Sequence, residues 1–136
     1  MTELIPLISE QKIQEQISVT AAQISSDYAD GDLILMGILK GSFIFLSDLS
    51  RQISISHEID LLGASSYSGT ASTGTIEFTK HPDLTLKNRD ILLVEDIVDT
   101  GNTLVAIIEY IKKSNPNSLK VCTLIDKHER RKLNIN

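Results

Sequence analysis

The sequence is poor in several things. Among its 136 residues there is no tryptophan, one cysteine and three prolines, and only 4% are aromatic. With Cys122 alone, an intramolecular disulfide is excluded. Cys122 lies in the apolar run "KVCTLI", where a thiol is expected to be buried and inert rather than nucleophilic. No run of about 18 apolar residues occurs, so no helical membrane span is read from the sequence. The N-terminus "MTELIPLISEQ" lacks a basic segment followed by an apolar one, so no secretory signal is expected. Together these absences point to the cytosol. Basic charge is scarce too. The net charge is −5, which argues against broad binding to a phosphate backbone, and hence against a nucleic-acid partner. His57, His81 and His128 have no ligand spacing, so they are read as surface residues.

What is present suggests a folded α/β domain. The length fits one domain over residues 1–136. A chain of that size buries roughly two-thirds of its unfolded surface, enough for a real core. Ile13, Ile17, Ala21, Ile24 and Tyr28 recur at helical spacing across 10–29, with Ser9 as N-cap and "DGD" as the stop. "LILMGIL" (33–39) is apolar without alternation, as in a strand covered on both faces. A second helix is predicted over 42–53 and a strand over 58–66. "YSGTASTGT" (67–75) reads as a loop, and "IEFTK" (76–80) alternates like a short edge or flap strand. "DILLVED" (90–96) is the candidate for the most buried strand. Leu104, Ile107, Ile108 and Ile111 give a helix over 101–114, closed by Asn115-Pro116, and "LKVCTLI" (119–125) gives another strand. Alternating strands and helices imply a mostly parallel sheet with helices on both faces.

Ligands of such sheets bind beyond the carboxyl ends of the strands. Those ends read "LKGS" (39–42), "SSYSG" (65–69), "EDIVDTGNT" (95–103) and "DKHER" (126–130), a composite polar site. In the third, Asp99, Thr100, Gly101, Asn102 and Thr103 lead into a helix. Unpaired N–H groups at a helix start favour a phosphate, and Gly101 permits close approach. Glu95 and Asp96 stand where carboxylates hold Mg²⁺ or accept hydrogen bonds from sugar hydroxyls. No G-K-[ST] follows, so this is not the Walker pattern.

"VEDIVDTGNTL" resembles the phosphoribosyl-pyrophosphate (PRPP) signature of the type I phosphoribosyltransferases, and more narrowly that of the hypoxanthine-guanine phosphoribosyltransferases. "GILKGSFIFLSDL" is similar to that family's pyrophosphate loop and following helix, "SSYSGTASTG" to its mobile loop, and "TLIDKHERR" to its purine-contact segment. Their order and spacing also fit, across nearly the whole chain. The resemblance implies the type I phosphoribosyltransferase fold, a mostly parallel sheet flanked by helices with a mobile loop over the site. It implies transfer of 5-phosphoribosyl from PRPP to hypoxanthine or guanine, with Mg²⁺, in a homodimer or homotetramer. By position it assigns Asp99 to Thr103 to the 5′-phosphate and Glu95 and Asp96 to the ribose hydroxyls or a Mg²⁺. Asp99 becomes the general base for purine N7. Lys40 and Gly41 fall in the pyrophosphate loop, where a cis Leu39–Lys40 peptide is expected. Ser66 and Tyr67 begin the closing loop, and Lys127 contacts O6 of a 6-oxopurine.

Members of that family continue beyond this C-terminus. The further part supplies an aromatic that stacks on the purine, an Asp for a second Mg²⁺ and an Arg near pyrophosphate. The tail "KLNIN" begins an alternating pattern and stops, so a shortened chain is expected. Two readings stay open: a purine-salvage enzyme, or a PRPP- or nucleotide-binding module with little catalysis. An RNA-binding regulator on the same fold is disfavoured by the negative charge and the lack of a basic stripe.

Overall fold

The computed structural model describes residues 9–66, 76–98 and 102–126. Helix α1 spans Glu10–Asp27, and strand β1 spans Leu33–Leu39. Then come α2 (Phe43–Gln52), β2 (Glu58–Ser66), β3 (Ile76–Lys80), β4 (Asp90–Val98), α3 (Asn102–Lys112) and β5 (Ser118–Asp126). Ser9 is the N-cap of α1, its hydroxyl accepting from the Lys12 N–H at 3.2 Å. Asn115 takes φ 54° just after α3, a left-handed conformation that asparagine tolerates better than most residues.

The five strands run in the order β3-β2-β1-β4-β5. β1 pairs in parallel with β2 and β4, β4 in parallel with β5, and only β3 is antiparallel, on the β2 edge. This matches the expected mostly parallel sheet. Alternate residues of the two central strands serve two cores. Leu33, Leu35, Leu92 and Val94 pack with α1 and α2. Ile34, Met36, Ile91 and Leu93 pack on the other face with Leu104, Ile107 and Ile111 of α3. Burial on both faces explains why "LILMGIL" shows no alternation. Gly37 admits α2 closely to β1, since a Cβ there would lie 2.6 Å from Leu46 Cδ2.

The chain passes from β1 through α2 to β2 on one side, and later places β4 on the other. Strand order therefore reverses between β1 and β4, and their carboxyl ends frame the crevice such sheets use for ligands. The amino ends of the strands are tied by polar contacts instead. Arg89 pairs with Asp32 at 2.7 Å and Glu58 at 2.8 Å. Asp90 accepts from Asn117 Nδ2 and Ser118 Oγ, both at 2.7 Å, and from the Asp32 N–H at 3.3 Å. The Ser118 bond, aided by those of Asn117 and Asp32 and opposed by burial, holds the Asp90 carboxyl below its ordinary 3.8. A carboxyl depressed in the folded state contributes stability above its unfolded pKa and loses it as pH falls through the folded value. Asp90→Asn is therefore expected to lower the thermal midpoint by about 2–4 °C at neutral pH, with the deficit shrinking below roughly pH 4. A deficit that persists unchanged into stronger acid, measured by thermal denaturation across pH, would refute this.

Among the described residues no helix is long and apolar enough to cross a membrane. Cys122 is half-buried against the α1/α2 core, and burial pushes its thiol up to about 11, as expected of an inert group. His57 departs from the surface reading. It is half-buried, with Nδ1 2.8 Å from the Ile55 carbonyl and Nε2 2.7 Å from Ser50 Oγ. A carbonyl only accepts, so in the neutral ring Nδ1 carries the proton and Ser50 donates to Nε2. His81 is exposed, and His128 lies outside the described residues.

Candidate active site

Two strand ends meet at the switch point. β1 ends at Leu39, and the Leu39–Lys40 peptide is cis, as the resemblance implies. Lys40 and Gly41 then form an exposed turn before α2. β4 supplies Glu95 and Asp96, both half-buried. The turn and the acids touch: a Cβ on Gly41 would lie 3.2 and 3.3 Å from the two Asp96 carboxylate oxygens. Glycine here lets the turn sit directly on the acid. Any larger side chain has to displace either the turn or Asp96.

The two acids are held by their own backbone. Glu95 Oε1 accepts from the Asp96 N–H at 3.1 Å, and Asp96 Oδ1 accepts from the Ile97 N–H at 2.9 Å. Thr123 Oγ1 of β5 donates to the Asp96 carbonyl at 3.4 Å. Burial pushes the Glu95 carboxyl up to about 8. The hydrogen bond to the Asp96 side chain and that side chain's charge add to the rise, while the Asp96 N–H opposes it. Glu95 therefore holds its proton more tightly than an ordinary carboxyl. Adjacent carboxyls that cannot comfortably both ionise are a donor set that a hard divalent cation or sugar hydroxyls would satisfy, and oxygen ligands suit Mg²⁺. Among the described residues no group of three or more His, Cys, Asp or Glu side chains is placed to hold a metal.

Beside the acids lies a groove of about 400 Å³, in which Gly41, Asp96 and Asp48 border an apolar lining that includes Ile44, Phe45 and Leu124. Ile97 follows Asp96 and is 41% exposed. The sequence reading ends this strand at Asp96, whereas β4 runs on to Val98, with burial lapsing at Glu95. Asn102 and Thr103 open α3, Asn102 exposed and Thr103 half-buried. Ser66 ends β2. Asp99, Thr100, Gly101, Tyr67 and Lys127 lie outside the described residues. The structure thus brings Gly41 close to Asp96, while α3 follows β4 in the chain, beginning at Asn102.

The sheet is mostly parallel, and acids and a glycine turn stand at its switch point, where such sheets bind ligands. The phosphoribosyl transferase domain family matches residues 8–136, and the chain belongs to that family. It is 42% identical over 132 residues to hypoxanthine phosphoribosyltransferase of Escherichia coli, covering 95% of this chain and 74% of that protein. Its structure is similar to a hypoxanthine-guanine phosphoribosyltransferase of Bacillus anthracis solved with a HEPES molecule in the active site. There the TM-score is 0.93 at 37% identity, covering 100% of this chain and 81% of the other. A Trypanosoma cruzi hypoxanthine phosphoribosyltransferase, solved in work on the role of its C-terminal region in oligomeric state and enzymatic activity, gives a TM-score of 0.91. That match is 28% identical and covers 100% of this chain and 77% of the other.

Proposed function

We propose that this chain is a purine-salvage phosphoribosyltransferase. It moves 5-phosphoribosyl from PRPP to hypoxanthine or guanine, giving IMP or GMP and pyrophosphate. The observation that carries this is the close approach of the Gly41 turn to Asp96 at the sheet's switch point, in a chain of the phosphoribosyl transferase family.

The purine nitrogen bonds to C1′ of PRPP as the bond from C1′ to pyrophosphate breaks, and the proton on N7 must leave. Asp99 takes that proton. The turn from Asp99 through Thr100, Gly101, Asn102 and Thr103 binds the 5′-phosphate at the start of α3. Glu95 and Asp96 accept hydrogen bonds from the ribose hydroxyls and are the carboxylates nearest a bound metal. Mg²⁺, when bound, neutralises the pyrophosphate leaving group. Lys40 and Gly41 hold the pyrophosphate. Ser66 and Tyr67 begin the loop that closes over PRPP and excludes water, limiting hydrolysis of a cation-like transition state. Exposed Ile97 offers the purine face an apolar contact. Assays with each base test the reading: hypoxanthine or guanine is expected to be converted and adenine not, and conversion of adenine alone would contradict it.

Lys127 donates to O6, an acceptor that adenine lacks. Lys127→Ala is expected to raise KM for hypoxanthine about tenfold and KM for PRPP less than twofold, the loss of one charge-assisted hydrogen bond. Equal rises in both, measured by initial rates, would sink the specificity role.

The protein acts in the cytoplasm as a homodimer or homotetramer. Supporting this, Phe43 and Ile44 stand side by side at the start of α2, 57% and 61% exposed, an apolar patch suited to a second copy. Light scattering coupled to gel filtration is expected to give a dimer or larger. A monomer at all concentrations tested would contradict this.

A further inference from the structure

Ser42 is a polar residue with no exposed surface. It occupies the N-cap position of α2, yet its side chain makes no cap hydrogen bond. Its hydroxyl turns back instead, donating to the Ile38 carbonyl of β1 at 2.5 Å. Its own N–H points to the same carbonyl at 3.4 Å, and its carbonyl accepts from the Leu46 N–H at 2.8 Å. The Phe43 N–H donates to the Lys40 carbonyl at 3.3 Å. The exposed Lys40–Gly41 turn is therefore suspended between two buried anchors, Ile38 and Ser42, and the Ser42 hydroxyl closes the span. On the open side of that span, Gly41 faces the Asp96 carboxylate.

We infer that Ser42 is the positioning residue of the pyrophosphate turn: its hydroxyl, tied to the end of β1, presets Lys40 and Gly41 for the diphosphate. This inference rests on the phosphoribosyltransferase reading above. A turn whose groups are fixed before binding spares the ligand the cost of ordering them. Ser42 touches no ligand and acts only through the turn. Loss of its hydroxyl therefore weakens the diphosphate end of the substrate selectively. The 5′-phosphate is bound elsewhere, at the start of α3, and is spared.

The test is calorimetric titration of the full chain with Mg²⁺-pyrophosphate, Mg²⁺-PRPP and ribose 5-phosphate. Ser42→Ala is expected to weaken pyrophosphate and PRPP about tenfold and to leave ribose 5-phosphate within twofold. Ser42→Thr keeps the donor and is expected to restore the pyrophosphate affinity. Ser42→Gly, which also lacks the hydroxyl, takes the place of alanine if that variant does not fold. Unchanged pyrophosphate binding in the variant would overturn the inference, and so would equal weakening of all three ligands. A wild-type chain that binds neither PRPP nor pyrophosphate would instead overturn the phosphoribosyltransferase reading, and the inference with it.

Discussion

Asp99→Asn is expected to lower kcat for IMP formation by about 10²–10⁴-fold, the usual contribution of a positioned general base. The amide keeps the size of the carboxylate and can still accept a hydrogen bond, but it cannot take a proton from N7. In the sequence Asp99 falls between β4, which ends at Val98, and α3, which begins at Asn102. The helix start beyond it supplies N–H donors for phosphate whether residue 99 is charged or not. PRPP affinity is therefore expected to change by less than about threefold, which separates proton transfer from substrate binding. An unchanged kcat in Asp99→Asn would remove this residue from the chemistry.

The largest expected effect on stability lies away from the strand ends. Asp60 of β2 is buried, and its carboxylate gathers donors from the chain on either side of β3. Oδ1 accepts from the Leu61 N–H at 2.8 Å, and Oδ2 accepts from the Asp83 and Leu84 N–H groups at 2.9 and 2.8 Å. Lys80 Nζ stands 4.0 Å from Oδ1, bonded also to the Leu61 and His81 carbonyls. Asp60→Ala would strand several backbone donors, while Lys80 would keep its 3.3 Å ion pair with Asp83. The expected cost is about 3–5 kcal/mol, a fall in the thermal midpoint of about 10 °C or more. Asp60→Asn keeps one acceptor oxygen and should fall between alanine and the wild type. A midpoint within about 2 °C of wild type for Asp60→Ala would show that the connection from β3 to β4 does not depend on this carboxylate.

The elements were legible where one physical signal dominated. β1 read as a strand covered on both faces because it lies between two helical layers, and residues 91–94 of β4 are apolar for the same reason. "IEFTK" read as an edge strand because one of its faces is wet, and its burial alternates accordingly. The order β3-β2-β1-β4-β5 could not be read from periodicity, which reports faces and not neighbours. Asp60 looked like any acid in a strand, since nothing local marks the Asp83 and Leu84 donors that bury it. Serine just before a helix commonly caps it, but the Ser42 hydroxyl bonds backward to Ile38 instead, which no local pattern marks. For the candidate site, the acids and the "LKGS" turn were legible as strand ends. Their contact was not, because Gly41 and Asp96 are far apart in sequence and meet only through the pairing of β1 with β4. The roles of Asp99 and Lys127 rest on resemblance, because a carboxylate or a lysine in a polar segment has no local signature of function.

The proposed activity is transfer of a phosphoribosyl group onto a 6-oxopurine. Its most direct test is to incubate the purified chain with radiolabelled hypoxanthine, PRPP and Mg²⁺, and to follow label and pyrophosphate together. The expected result is labelled IMP formed in equal amount with pyrophosphate, dependent on both PRPP and Mg²⁺. PRPP binding with no IMP at any enzyme concentration would contradict the claim and leave a binding module in its place.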